Sequence, residues 1–100
     1  MTYQIQNYVN EKELDRVAWY VYKFSMSVGC FKENPTQANF DRLMLTLDQV
    51  EERLDVDPSQ IREIAIEYMK NPSKELRIRL NEATKELIKQ ILRKHIMGVG

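Results

Sequence analysis

The spacing of the apolar residues constrains the fold of this chain more than any other feature. From residue 14 onward, apolar side chains recur at alternating steps of three and four, which places them on one face of an α-helix. In the first such segment they are Leu14, Val17, Val21, Phe24, Val28 and Phe31. Three later segments repeat the pattern, so the sequence predicts four amphipathic helices and an all-α fold.

Residues that favour helix ends separate the four segments. The predicted N-caps are Asn10, Thr36, Asp57 and Ser73. Asn10 is followed by Glu13 in the pattern of a capping box, and Pro58 suits the first position of the third helix. The first helix is predicted to end near residues 31–33, and the fourth is predicted to stop at Gly98.

Short connections make consecutive helices neighbours, which predicts an antiparallel four-helix bundle built from two helical hairpins. The third helix is predicted to be the shortest, so it cannot cover the long helices from end to end, and some apolar surface is expected to stay exposed. One hundred residues match one domain, covering residues 1–100. The weak alternation of Tyr3 and Ile5 is typical of an extended arm over residues 1–9, with a flexible arm as the alternative.

The first helix also carries large apolar residues away from its core face. Trp19, Tyr22 and Met26 are spaced by three and four, and Trp19 lies about 180° from the core face at the angular step of an α-helix. Tyr20 adds a further aromatic ring. The alternative interpretation is that all these residues form one broad stripe facing the core. However, the two neighbouring helices of a bundle do not cover a side chain on the opposite side of the helix. Because interface cores favour aromatic residues and methionine, these four residues are the predicted partner interface, most simply with a second copy in a homodimer.

The charges cancel over the chain but are unevenly distributed. Residues 1–69 hold seven basic and twelve acidic side chains, a net charge of −5, whereas residues 70–100 hold eight basic and three acidic ones, a net charge of +5. The basic stripe predicted on the fourth helix consists of Arg77, Lys85, Lys89 and Arg93. Such a stripe is typical of a contact with nucleic acid or an acidic partner. We favour the other interpretation, that the basic end packs beside the acidic part of the fold and is neutralised there.

Catalytic and metal-binding patterns are poorly represented in the sequence. The chain has one histidine, His95, and one cysteine, Cys30, too few for the usual zinc or di-iron ligand sets. Cys30 is expected to be a small buried apolar residue. No glycine-rich phosphate loop is recognisable, so we expect a non-enzymatic protein without a cofactor or metal.

The composition also bears on location and on function. The N-terminal residues lack the basic and apolar regions of a signal peptide, no run reaches the length of a membrane span, and a lone cysteine suits a reducing compartment. A soluble, cytoplasmic protein is therefore expected. The sequence favours a protein-interaction module that acts as a small regulator, inhibitor or assembly factor. The alternative is a nucleic-acid-binding regulator that uses the basic fourth helix.

Overall fold

The computed structural model describes residues 11–96, which form four α-helices and no strand. The helices are α1 (Glu11–Glu33), α2 (Gln37–Leu54), α3 (Ser59–Lys70) and α4 (Lys74–His95). The all-α prediction is confirmed, and α3 is the shortest helix with 12 residues. The predicted N-terminal arm, the N-cap at Asn10 and the helix stop at Gly98 lie outside the described residues.

The four helices form a closed ring in which each helix has two neighbours. Helix α1 packs against α2 and α4. Helix α3 packs against the same two helices and lies diagonally across the bundle from α1. This arrangement is a helical bundle in which the connections between helices are short, as predicted.

Hydrogen bonds between α1 and α2 follow the order of a hairpin. Arg16 donates to the carbonyl oxygen of Arg53 at 2.8 Å. Further along α1, Lys23 donates to the side chain of Gln49, which precedes Arg53 on α2, at 3.2 Å. Residue numbers therefore rise along α1 as they fall along α2. The antiparallel arrangement of the whole bundle stays a prediction.

Two of the predicted N-caps act as expected. The Thr36 hydroxyl accepts a hydrogen bond from the backbone N–H of Asn39 at 3.2 Å, and the Ser73 hydroxyl accepts one from Leu76 at 3.1 Å. Each bond pairs an N–H that the helix itself leaves without a partner.

The prediction for the start of α3 is wrong by one residue. Helix α3 begins at Ser59, so Pro58 occupies the N-cap position and Asp57 lies outside the helix. The Asp57 carboxylate still accepts from the N–H of Ser59, two residues on, at 3.0 Å, which is the bond that a capping aspartate makes.

The core receives the same number of buried apolar side chains from each helix. They are Val17, Phe24, Val28 and Phe31 from α1, Leu43, Leu47, Val50 and Leu54 from α2, Ile61, Ile64, Ala65 and Tyr68 from α3, and Leu80, Ala83, Leu87 and Ile91 from α4. Near one end of the bundle the ring of Phe31 lies 5.8 Å from that of Phe40 and 5.5 Å from that of Tyr68. The core is thus continuous across all four helices.

Two core predictions for α1 are wrong. Leu14, the first residue of the predicted core face, is 41% exposed. Cys30, which was expected to be buried, is also exposed. Cys30 follows Met26 by four residues, so it shares the outward side of α1 with Met26 rather than the side that faces the core.

Candidate interaction surfaces

The outward side of α1 exposes three of the four residues of the predicted partner interface. Trp19, Tyr22 and Met26 each have more than half of their surface exposed. Tyr20 is placed differently, since it is half-buried and packs against the core. The structure therefore brings three of these residues together and sets the fourth at the core edge.

Leu45 on α2 extends this apolar area, although it is not among the residues of the predicted partner interface. It is 57% exposed. It lines one depression between α1 and α2 together with Tyr22 and Met26, and a second one together with Trp19. Its position in the sequence could have indicated this exposure. Leu45 follows the core residue Leu43 by two residues, and residues with that spacing do not share a helix face. Trp19, Tyr22, Met26 and Leu45 are called the α1/α2 surface below.

Contacts among neighbouring side chains hold part of the α1/α2 surface in place. The rings of Trp19 and Tyr22 stack with 6.4 Å between their centroids and 26° between their planes. The Lys23 ammonium group lies 5.6 Å from the centre of the Trp19 ring, in cation–π geometry, and also donates to Gln49 at 3.2 Å. An exposed ring that is already oriented loses less entropy when a partner covers it.

The four residues of the predicted basic stripe do not all lie on one side of α4. Arg77 faces α1, where it forms an ion pair with Glu33 and donates to the carbonyl oxygen of Lys32 at 3.3 Å. Lys85, Lys89 and Arg93 are exposed, and none of them forms an ion pair with another residue in the range 11–96. The free part of the stripe thus consists of these three residues.

The acidic residues of α2 are neutralised mainly by α3. Arg62 of α3 contacts Asp48 at 2.6 Å and Glu51 at 2.8 Å. The contacts with both carboxylates raise the pKa of the Arg62 guanidinium against the opposing effect of its burial, which is the largest single influence on it. On α4 it is Lys94, outside the predicted stripe, that pairs with Asp55 after α2, at 2.7 Å. The expected neutralisation of the basic end by the acidic part of the fold is therefore partial.

Three findings bear on other kinds of site. Within residues 11–96, no group of three or more His, Cys, Asp or Glu side chains is arranged to hold a metal ion. In the same range, no helix has both the length and the apolar content that crossing a membrane requires. Comparison of the chain with protein-family models, curated proteins and solved structures finds no match.

Proposed function

We propose that this chain is a non-enzymatic protein-interaction module that forms a homodimer through the α1/α2 surface. The observation that carries the proposal is that Trp19, Tyr22 and Met26 are each more than half exposed on one helix face, outside a core to which every helix already contributes. Burial of apolar surface is worth about 25 cal/mol per Å², so covering these side chains with a partner is favourable.

The proposed partner is a second copy because the charges beside Leu45 are self-complementary. Arg42 and Asp48 lie three residues before and three residues after Leu45 on α2. A two-fold axis at Leu45 would bring the Arg42 of each copy opposite the Asp48 of the other, as an isologous interface requires. Asp48 also contacts Arg62 of its own chain, but its side chain stays 67% exposed and can accept from both. Polar side chains around an apolar centre also match the usual anatomy of an interface.

The cellular role in this proposal is that of a small regulator, inhibitor or assembly factor. Such proteins act by occupying surfaces on other proteins, and a target of this kind would compete with the second copy for the α1/α2 surface. A cytoplasmic location is part of the proposal, because the exposed Cys30 is the only cysteine in the chain and suits a reducing compartment.

Light scattering on a sizing column tests the homodimer. We expect the wild-type protein to have about twice the single-chain mass of 11.9 kDa. Trp19→Glu should convert it to a monomer, because it places a charge at the centre of the buried area. The matched control is Ile66→Glu, the same kind of change at an exposed isoleucine on α3, and it should leave the dimer intact.

Circular dichroism separates loss of association from loss of folding in the same samples. If Trp19→Glu unfolds the chain, Leu45→Glu tests the same surface from α2. A wild-type protein that stays monomeric at all concentrations, or folded Trp19→Glu and Leu45→Glu variants that remain dimers, would contradict the homodimer.

A second candidate function is nucleic-acid binding through α4. The observation that favours it is the exposure of Lys85, Lys89 and Arg93 without an ion-pair partner among residues 11–96. Steps of four residues place successive cations about 6 Å apart along the helix, so several of them could contact one phosphate backbone. Arg77 is not part of this candidate site, since it is paired with Glu33.

Retention on DNA at low salt tests this second function. Binding through three phosphate contacts should weaken with a slope of roughly −3 in a plot of log affinity against log salt concentration. Lys85→Glu combined with Lys89→Glu should abolish retention, whereas Lys70→Glu with Lys74→Glu, an equal change in charge, should weaken it much less. The absence of any retention by the wild-type protein at low salt would remove this candidate.

A further inference from the structure

One of the two depressions between α1 and α2 has the size and the lining of a small-molecule site. Its volume is about 370 Å³, and such sites commonly measure roughly 300 to 1,000 Å³. Tyr22, Met26 and Leu45 of the α1/α2 surface supply apolar walls, and polar side chains from both helices, including Ser27, complete the lining. This depression is called the Ser27 groove below.

Ser27 contributes a buried hydroxyl group to the groove. The residue is only 5% exposed, and its hydroxyl forms no hydrogen bond with any residue in the range 11–96. Buried polar groups in proteins are normally paired, because an unpaired one lowers stability. Thr46, the other buried polar residue of the groove, has such a partner, since it donates to the carbonyl oxygen of Leu43 at 2.9 Å. The Ser27 hydroxyl is therefore available to a molecule that enters the groove.

The charged side chains that line the groove are positive. Arg42 is exposed and forms no ion pair with another residue of the described chain. Lys23 is half-buried and donates to the neutral side chain of Gln49 at 3.2 Å. Among residues 11–96, no aspartate or glutamate lines the groove. An anion in the groove would thus meet two cations and a free hydroxyl donor, and hydrogen bonds to a charged acceptor are the stronger kind.

We propose that the Ser27 groove binds a small amphipathic carboxylate. The carboxylate group accepts from the Ser27 hydroxyl and pairs with Arg42, and the apolar body of the molecule covers the apolar walls. Apolar walls with a few polar groups that fix the orientation are the usual composition of a small-molecule site. The two positive side chains disfavour a cation, and a purely apolar molecule would leave the Ser27 hydroxyl unpaired.

A bound carboxylate opposes the homodimer, and this consequence, unlike the binding itself, rests on the proposed function. The apolar walls of the groove belong to the α1/α2 surface that the second copy covers. Arg42 is the residue that the second copy needs opposite its Asp48. The small molecule and the second copy therefore exclude each other, so the carboxylate shifts the equilibrium toward the monomer.

Isothermal titration calorimetry with decanoate, below the concentration at which it forms micelles, tests the site. The heat should saturate at one molecule per chain, whereas decanol, which lacks the charge, should bind about tenfold more weakly. Ser27→Ala and Arg42→Gln should each weaken decanoate binding about tenfold, because each removes one partner of the carboxylate. The matched controls are Ser25→Ala and Arg53→Gln, at positions that do not line the groove, and they should bind like the wild type.

Three calorimetric results would overturn the proposed site: no saturable binding of decanoate, equal binding of decanol, or unchanged decanoate binding in both Ser27→Ala and Arg42→Gln. A measurement on the wild type keeps the test decisive if these variants do not fold. In ¹⁵N–¹H correlation spectra, decanoate should shift the backbone signals of residues 22–27 and 42–49 most. Shifts centred on another part of the chain would also overturn the site.

Light scattering with and without decanoate distinguishes failure of the site from failure of the homodimer. Saturating decanoate should convert the dimer to a monomer. A dimer that persists with decanoate bound would overturn the competition. A protein that is monomeric before decanoate is added would contradict the homodimer alone, because the calorimetry tests the site in the monomer as well.

Discussion

At the scale of single residues, α1 illustrates how a small angular drift decides exposure. Leu14, Val21 and Val28 are separated by seven residues each, and an ideal α-helix drifts by about 20° per seven residues relative to a strict repeat. Leu14 is exposed, Val21 is half-buried and Val28 is buried. The three residues thus move progressively toward the core, and a prediction that treats them as one face places Leu14 wrongly.

Two carboxylates, Glu13 at the start of α1 and Asp55 after the end of α2, should make the protein sensitive to acid. The pKa of Glu13 is held below its ordinary 4.5, chiefly by Arg16, and that of Asp55 below its ordinary 3.8, chiefly by Lys94. A depressed pKa in the folded state gives stability that is present above the ordinary value and is lost as the pH falls through the folded value. We therefore expect the free energy of unfolding to decline below about pH 4.5.

Denaturant unfolding between about pH 2.5 and pH 6 checks this expectation. The matched control combines Glu13→Gln with Asp55→Asn, which removes both titrating groups and keeps side chains of similar size. This double variant should lose less stability in acid than the wild type does. An identical acid dependence would show that other carboxylates are responsible.

At the scale of helices, local sequence predicted the N-terminal ends of α2 and α4 correctly. The hydroxyl groups of Thr36 and Ser73 cap α2 and α4 through bonds three residues along the chain. The C-terminal end of α2 was different, because Asp55 adopts a left-handed conformation there, with φ 55° and ψ 54°. Aspartate tolerates this conformation better than most residues. The partner of its carboxylate, Lys94, lies 39 positions away, so no local pattern could indicate the pairing.

Removal of either capping hydroxyl should destabilise the protein. We expect Thr36→Ala and Ser73→Ala each to lower the free energy of unfolding by about 1 kcal/mol, because each leaves a helix N–H without its side-chain acceptor. Urea unfolding measures the change. Thr36→Ser and Ser73→Thr retain a hydroxyl and should stay close to the wild type. Equal losses in the alanine and hydroxyl variants would contradict a capping role.

At the scale of the whole molecule, the closed ring of helices explains why α1 exposes an apolar face. Each helix has two neighbours, and α1 uses its core-facing side for both α2 and α4. Residues on the opposite side, including Trp19 and Met26, are not covered by any of the four helices within residues 11–96. The spacing of these residues in the sequence predicted the exposed face on α1. It did not predict Leu45, since the contribution of α2 depends on how the two helices lie side by side.

The sequence did not predict which charged side chains form ion pairs. The two halves of the chain carry opposite net charges, and this composition indicated attraction without indicating partners. In the fold, Arg77 pairs with Glu33 across α1 and α4, whereas Arg62 takes Asp48 and Glu51 of α2. These pairings depend on which helix faces meet, and so they follow from packing.

The sequence by itself determined the helices, most of the core and the second apolar face of α1. All three follow from the 3.6-residue period, which acts over a few neighbouring residues. Only the tertiary structure decided that Leu45 joins Trp19, and that His95 meets Glu13, 82 positions earlier in the chain. Contacts of that kind depend on the order and the relative heights of the packed helices, which local spacing does not specify.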